Sequence, residues 1–250
     1  MKIGSGELLR YSKQIILKGV GIIGQKKISS AKVLVVGIGG LGCPLVSYLS
    51  NTGLGNIGLV DNDKVDLSNL NRQIIFNHKD IGKLKVVQAK KFINNINKKI
   101  RVKIFKKKLT KKNIIKISNN YDIICDCSDN FTTRYLLNDY SSKNKKILIA
   151  AAISKFDAHI FNFNFKQNIP CYRCFMPEIP DLDIKCDAEG ILPTVAGIAG
   201  TLQANEVVKS IIGEKNELVG KMIVFNTLDL NFRKIKLTKN FNCIKDCGRK

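Results

Sequence analysis

A glycine-rich turn between a buried strand pattern and a helical one constrains this chain more than any other feature. Val33-Leu34-Val35-Val36 runs into Gly37-Ile38-Gly39-Gly40-Leu41-Gly42, and a helical pattern continues over residues 44–49. A short apolar run bounded by turn signals reads as a strand buried on both faces. Gly37, Gly39, Gly40 and Gly42 let the backbone turn sharply and approach a phosphate, and the N–H groups of the next helix favour negative charge. A second apolar strand over residues 57–60 ends on Asp61, where an acidic side chain holds a ribose hydroxyl pair. The pattern predicts a nucleotide cradle. Close packing of helix on strand would need the same glycines, so the residues beyond must decide.

They favour a triphosphate. Asp61-Asn62-Asp63-Lys64-Val65-Asp66-Leu67-Ser68-Asn69-Leu70-Asn71-Arg72-Gln73 is a dense polar run that a dinucleotide oxidoreductase does not need. An ATP site needs such cations and amides. Further on, a strand pattern over residues 121–126 leads into Asp126-Cys127-Ser128-Asp129-Asn130. Gly37, Asp61 and Asp129 then all fall at carboxyl ends of strands, where ligands collect in a parallel sheet. Asp129 is a candidate Mg²⁺ ligand, because magnesium takes one or two carboxylates plus phosphate oxygens. Asn130 is a candidate contact to adenine or ribose. The alternative is that both residues cap the helix predicted over residues 132–140, and the two readings are compatible.

Taken together, the Gly37-to-Gly42 turn, the Asp61-x-Asp63 pair, the Ser68-Asn69-Leu70-x-Arg72-Gln73 run and Asp126-Cys127-Ser128-Asp129-Asn130 resemble the adenylating family of ThiF, MoeB and the ubiquitin-activating enzymes. The likeness covers nearly the whole chain. It implies an ATP-dependent adenylyltransferase acting on a ubiquitin-like sulfur carrier protein that ends in Gly-Gly. The carrier's terminal carboxylate becomes an acyl-adenylate and pyrophosphate leaves, in thiamine or molybdopterin cofactor biosynthesis. The resemblance also puts Ser68, Asn69 and Arg72 at the nucleotide and a phosphate-contacting lysine at Lys85. In a homodimer, a family motif Arg-Tyr-x-Arg-Gln reaches the neighbour's triphosphate. Here it reads Arg10-Tyr11-Ser12-Lys13-Gln14, so Lys13 supplies charge without the planar fork of arginine, and Arg10 is the alternative. Cys186 falls where relatives keep a thiol for attack on the activated carrier or for sulfur transfer. Lys185 and the following helix start would lower its pKa while Asp187 and Glu189 oppose that; the other reading is an inert loop cysteine.

Cysteine spacing adds a metal. Cys171-Tyr172-Arg173-Cys174 and Cys243-Ile244-Lys245-Asp246-Cys247 have the spacing of tetrahedral Zn²⁺ ligands, and four thiolates make a closed structural site. The metal would pin the C-terminal tail onto the fold. Two unconnected reactive pairs are the alternative. Eight cysteines without an export signal argue against a disulfide framework.

The 250 residues suffice for one large domain or two small ones. Helical and strand patterns alternate to about residue 152, which predicts a doubly wound, Rossmann-like parallel sheet. Beyond it, Phe161-Asn162-Phe163-Asn164-Phe165 alternates with period two, as half-buried antiparallel strands do. The expected fold is therefore an α/β domain, mostly parallel, extended by antiparallel strands and closed by the zinc site. Residues 1–30 form a helical arm with an amphipathic helix over residues 7–17, residues 31–152 the nucleotide half, and residues 153–250 the carrier-binding half. Helices are also expected over residues 81–96, 111–118 and 193–212.

The balance of 42 basic to 20 acidic residues gives a net charge of +22. Nucleic acid or an acidic partner would fit that surplus. Lysine, asparagine and isoleucine abound everywhere, so codon bias explains it as well, and nucleic-acid binding is the weaker expectation. No apolar stretch approaches the roughly 20 residues of a membrane span, and the N-terminal residues lack an apolar signal region, so the expected location is cytoplasmic. No rhodanese-like extension follows Cys247, so the sulfur donor is expected to be a separate protein. Only His78 and His159 are present, against triad hydrolysis. The rival functions are an NAD-dependent oxidoreductase, a zinc-containing nucleic-acid-binding protein and a tRNA-modifying dehydratase of the same superfamily.

Overall fold

A computed structural model describes residues 4–178, 190–214, 216–240 and 243. Its eight strands are β1 (Lys32–Val36), β2 (Asn56–Val60), β3 (Arg101–Phe105), β4 (Ile123–Asp126), β5 (Ile147–Ser154), β6 (Asp157–Asn164), β7 (Lys221–Asn226) and β8 (Asn231–Lys236). They form one sheet in the order β3-β2-β1-β4-β5-β6-β7-β8. The first five in that order run parallel and the remainder antiparallel. Helices α1 (Ser5–Arg10), α2 (Ser12–Ile15), α3 (Gly21–Ser30), α4 (Gly42–Asn51), α5 (Lys85–Ile96), α6 (Ile114–Ser118), α7 (Phe131–Lys143), α8 (Tyr172–Phe175) and α9 (Pro193–Ile212) cover both faces. None is long and apolar enough to cross a membrane, among the described residues.

The apolar run of β1 is buried because it feeds two cores at once. Val33 and Val35 face one layer with Leu45 and Leu49 of α4, Val86 of α5 and Val195 and Ala199 of α9. Leu34 and Val36 face the other with Ile114, Ile117, Tyr135 and Phe161. Alternate residues of a strand point to opposite faces, so only a strand covered on both sides can be apolar throughout. Strand order reverses between β1 and β4, and the chain leaves both at their carboxyl ends, which opens the crevice that positions the site.

Where the parallel half ends, β5 and β6 pair as an antiparallel hairpin from Ile147↔Asn164 to Ser154↔Asp157. The expected aromatic stripe is core. Phe161, Phe163 and Phe165 are buried, with ring centroids 5.5 and 5.7 Å apart in near-parallel stacks. Helix α9 occupies the expected 20 residues, opened by Pro193 and stopped by Gly213 at φ 85°.

Two sequence expectations are corrected. Residues 7–17 are not one amphipathic helix: α1 and α2 break at Tyr11, and Leu9 and Ile16 are 79% and 75% exposed. Tyr11 is drawn out of helical register because its ring fills the space over Gly53 and its hydroxyl accepts from Asn97 Nδ2 at 2.9 Å. The helix expected from residue 81 begins at Lys85. Residues 81–84 instead bridge back to Lys64 and Val65, and Lys85 N–H donates to Asp63 O at 2.9 Å.

Candidate active site

The glycine turn is shaped by close backbone approach. Gly37 has φ +91°, and a Cβ there would lie 2.5 Å from Cys127 O. A Cβ on Gly42 would lie 2.2 Å from Gly37 O. Only glycine permits that crossing of the turn with the exit from β4. Asp61 then ties the turn to β2. Its Oδ2 accepts from Ile38 N–H at 2.7 Å and its Oδ1 from Asp63 N–H at 2.8 Å. Burial raises the Asp61 pKa, and the two amide bonds pull against that rise. The carboxylate expected to hold a ribose is thus also the organiser of the turn, with a lone pair left on each oxygen.

A cavity of about 800 Å³ opens at these strand ends. Gly37, Gly39, Gly40, Asp61, Asp63, Asn69, Arg72, Lys85, Asp129 and Asn130, all expected from sequence, line it together. Lys85 is 7% exposed, and its ammonium lies 3.2 Å from Asp63 Oδ2 at the cavity wall. Arg72 Nη1 donates to Ser68 O at 2.9 Å and to Asn71 Oδ1 at 3.1 Å, which curls the side chain over its own loop and against Gly40. Asn130 is the N-cap of α7, its Oδ1 accepting from Thr133 N–H at 2.9 Å. The capping reading therefore holds for Asn130. Asp129 is exposed beside it, 3.3 Å from Asn130 Nδ2.

Other expected residues lie elsewhere. Gly42 and Ser68 do not line the cavity. Gly42 is buried beneath the turn, and Ser68 donates through both Oγ and N–H to Asp66 Oδ1, at 2.6 and 2.9 Å. These bonds lower the Asp66 pKa. Lys13 is exposed on α2 and absent from the cavity of its own chain. Cys186 and Cys247 fall outside the described residues.

The cavity has a second arm that the motifs did not announce. Ala152, Ile153 and Ser154 of β5, His159 of β6, and Tyr172 and Met176 line it. At the junction of the arms sits Arg134, 5% exposed, its Nε 3.6 Å from Asp126 Oδ2 and its guanidinium 5.6 Å from the Tyr172 ring centre. In so basic a chain nothing marks Arg134 out. Its place seven residues after Cys127 on the capped helix was the available signal. Burial pushes the pKa of the Cys127 thiol well above its ordinary value.

Beside α8, the sulfurs of Cys171, Cys174 and Cys243 cluster within 4.8 Å of one another. Cys171 Sγ lies 4.0 Å from Cys174 Sγ and 3.7 Å from Cys243 Sγ. A tetrahedral zinc with Zn–S bonds of about 2.3 Å has sulfur–sulfur edges of roughly 3.8 Å, so these three fit one metal.

The sequence model of the ThiF family matches residues 11–245. The adenylyltransferase and sulfurtransferase MOCS3 of Culex quinquefasciatus is 39% identical over 246 residues, covering 97% of this chain and 56% of that protein. MOCS3 of Xenopus laevis is 39% identical over 244 residues, covering 97% of this chain and 54% of that one. The chain spans about half the length of the curated relatives it matches. Among solved structures, E. coli MccB with ATP superposes with a TM-score of 0.84 at 23% identity, over 96% of this chain and 75% of that one. PaaA superposes with a TM-score of 0.82 at 24% identity, over 96% of this chain and 76% of that one. These two likenesses establish the fold.

Proposed function

The chain belongs to the ThiF family, and on that premise we propose that it is an ATP-dependent adenylyltransferase for a ubiquitin-like sulfur carrier protein. The observation that carries the reading is the two-armed cavity. One arm has the glycine turn, Arg72, Lys85 and Asp129; the other runs along β5 and β6, with Arg134 where they meet. A triphosphate suits the first arm, and an extended Gly-Gly tail suits the second. The MOCS3 relatives are named adenylyltransferases, and MccB has been solved with ATP.

In this reading the carrier's terminal carboxylate lies in the second arm, in line with the α-phosphorus. Its oxygen forms the new O–P bond while the bond to the β-phosphate breaks, and pyrophosphate leaves. A carboxylate is already anionic at neutral pH, so no general base is needed. The protein contributes position and charge. Lys85, held by Asp63, and Arg72, once it turns from its own loop, face the phosphates. Asn69 and Asn130 meet the nucleoside, and Asp61 keeps the turn in place while meeting the ribose. Mg²⁺, held by Asp129 and phosphate oxygens, would neutralise the leaving pyrophosphate. Zn²⁺, held by Cys171, Cys174 and Cys243 with Cys247 as the fourth ligand, would be structural.

The same reading extends to a homodimer in which the neighbouring subunit supplies Lys13. It includes a role for Cys186 in the sulfur step and a cytoplasmic location. An NAD-dependent oxidoreductase is disfavoured by Arg72, Lys85 and Asp129 lining one cavity.

The test is ATP–pyrophosphate exchange. It should appear only with a carrier whose C-terminal glycine is intact, and exchange with no carrier present would contradict the assignment. Asp129→Ala should lower exchange by about 10²-fold or more with the far-UV spectrum unchanged.

A further inference from the structure

Residues 126–128 leave β4 where the two arms of the cavity meet, and two buried side chains from opposite layers tie them to β5. From α9, Gln203 Nε2 donates to Asp126 O and to Ile149 O, each at 2.9 Å, and its Oε1 lies 3.3 Å from Cys127 Sγ. From α7, Arg134 Nη2 donates to Ser128 O at 3.2 Å and to Ala151 O at 2.8 Å. The amide of Gln203 can face only one way, because reversing it would set its oxygen against two carbonyl oxygens. Gln203 has no exposed surface and does not line the cavity.

Both side chains straddle the same two strands, one pair of carbonyls further along. The ladder between β4 and β5 ends at Asp126↔Ala150. Gln203 therefore adds a side-chain donor at the last rung, and Arg134 supplies one beyond it, where the ladder no longer pairs the buried carbonyls. The turn carrying Asp129 comes directly after β4, and the floor of the second arm begins just past Ala151. In the adenylation reading, these two segments carry the nucleotide and the incoming carboxylate, so their spacing sets how the two groups meet.

We propose that Gln203 is a positioning residue for adenylyl transfer, forming with Arg134 a two-sided staple that holds residues 126–128 in register with β5. The inference rests on the adenylation reading above. Gln203 touches neither substrate, so its effect is on the alignment of two bound groups rather than on their affinity. A misplacement of about 1 Å at such a centre costs on the order of 10²-fold in rate.

The experiment compares the native chain with Gln203→Met, which keeps length and volume but cannot donate. In ATP–pyrophosphate exchange with a Gly-Gly-ending carrier, kcat should fall about 10- to 100-fold while KM for ATP and for carrier stay within about threefold. Amide hydrogen exchange should accelerate at Cys127 and Ser128 and not in α4. If Gln203→Met does not fold, Gln203→Asn, whose amide is too short to span both carbonyls, should give the same split. A folded variant with native kcat, or one whose loss lies wholly in KM, overturns the proposal, as does unchanged amide exchange at Cys127 and Ser128. Failure of the adenylation reading looks different: the native chain itself would then give no carrier-dependent exchange.

Discussion

Single residues in this chain carry constraints that can be tested one at a time. Gly37 combines a left-handed backbone with a carbonyl 2.5 Å from where its Cβ would stand. Gly37→Ala should cost about 2–5 kcal/mol in urea denaturation, adding backbone strain to a clash with main chain. His159 offers a pH test. Burial pushes its pKa below the ordinary 6.5, with Arg134 acting in the same direction and Asp157 against. The unfolded chain therefore takes up a proton that the folded chain resists, so stability is full above the unfolded pKa and falls as pH drops below it toward the folded pKa. His159→Gln should flatten the difference in urea midpoint between about pH 5.5 and pH 7.5. An undiminished difference would mean that His159 does not carry it. Gly37, Asp61 and Asp129 were legible as residues at strand ends, and Arg72 and Lys85 through the family resemblance; all five line the cavity. His159 was legible only as one of two histidines, since its placement on the second arm depends on the β5–β6 pairing.

Among the elements, α7 opens on a side chain whose capping role can be separated from a role in binding. Asn130 caps the helix, so Asn130→Ala should cost about 1 kcal/mol and Asn130→Ser should recover most of it. ATP affinity separates the roles: if the amide also meets the nucleoside, serine restores stability but not binding, and equal restoration of both would leave only the cap. Helix α9 was read correctly from end to end because proline and glycine mark its termini locally. The arm was misread over residues 7–17 because hydrophobic spacing says that a face is apolar, not what covers it. There Tyr11 turns inward instead, and Leu9 and Ile16 stay on the surface. Short helices nucleate poorly alone, and a buried tyrosine decides the break.

At the scale of the whole molecule, the three sulfurs bring chain positions 72 residues apart to 3.7 Å. Such a contact closes a long loop, which is where a metal clip stabilises most. Metal analysis should find about one zinc per chain, and stripping it with a strong chelator should lower the melting temperature. A folded protein that binds no zinc and melts unchanged would remove the clip. The same scale holds the two-armed cavity, which no single motif describes.

From the sequence alone came the glycine turn, the strand-end acids that line the cavity and the change from parallel to antiparallel strands. Those depend on local spacing: apolar runs, a glycine turn, acids at strand ends, aromatics two apart. Tertiary structure alone decided which buried polar groups meet. Arg134 and Gln203 look like surface residues of two separate helices until the sheet sets both helices against the same pair of strands. Hydrogen-bond partners far apart along the chain leave no period in the sequence, whereas packing assigns them without ambiguity.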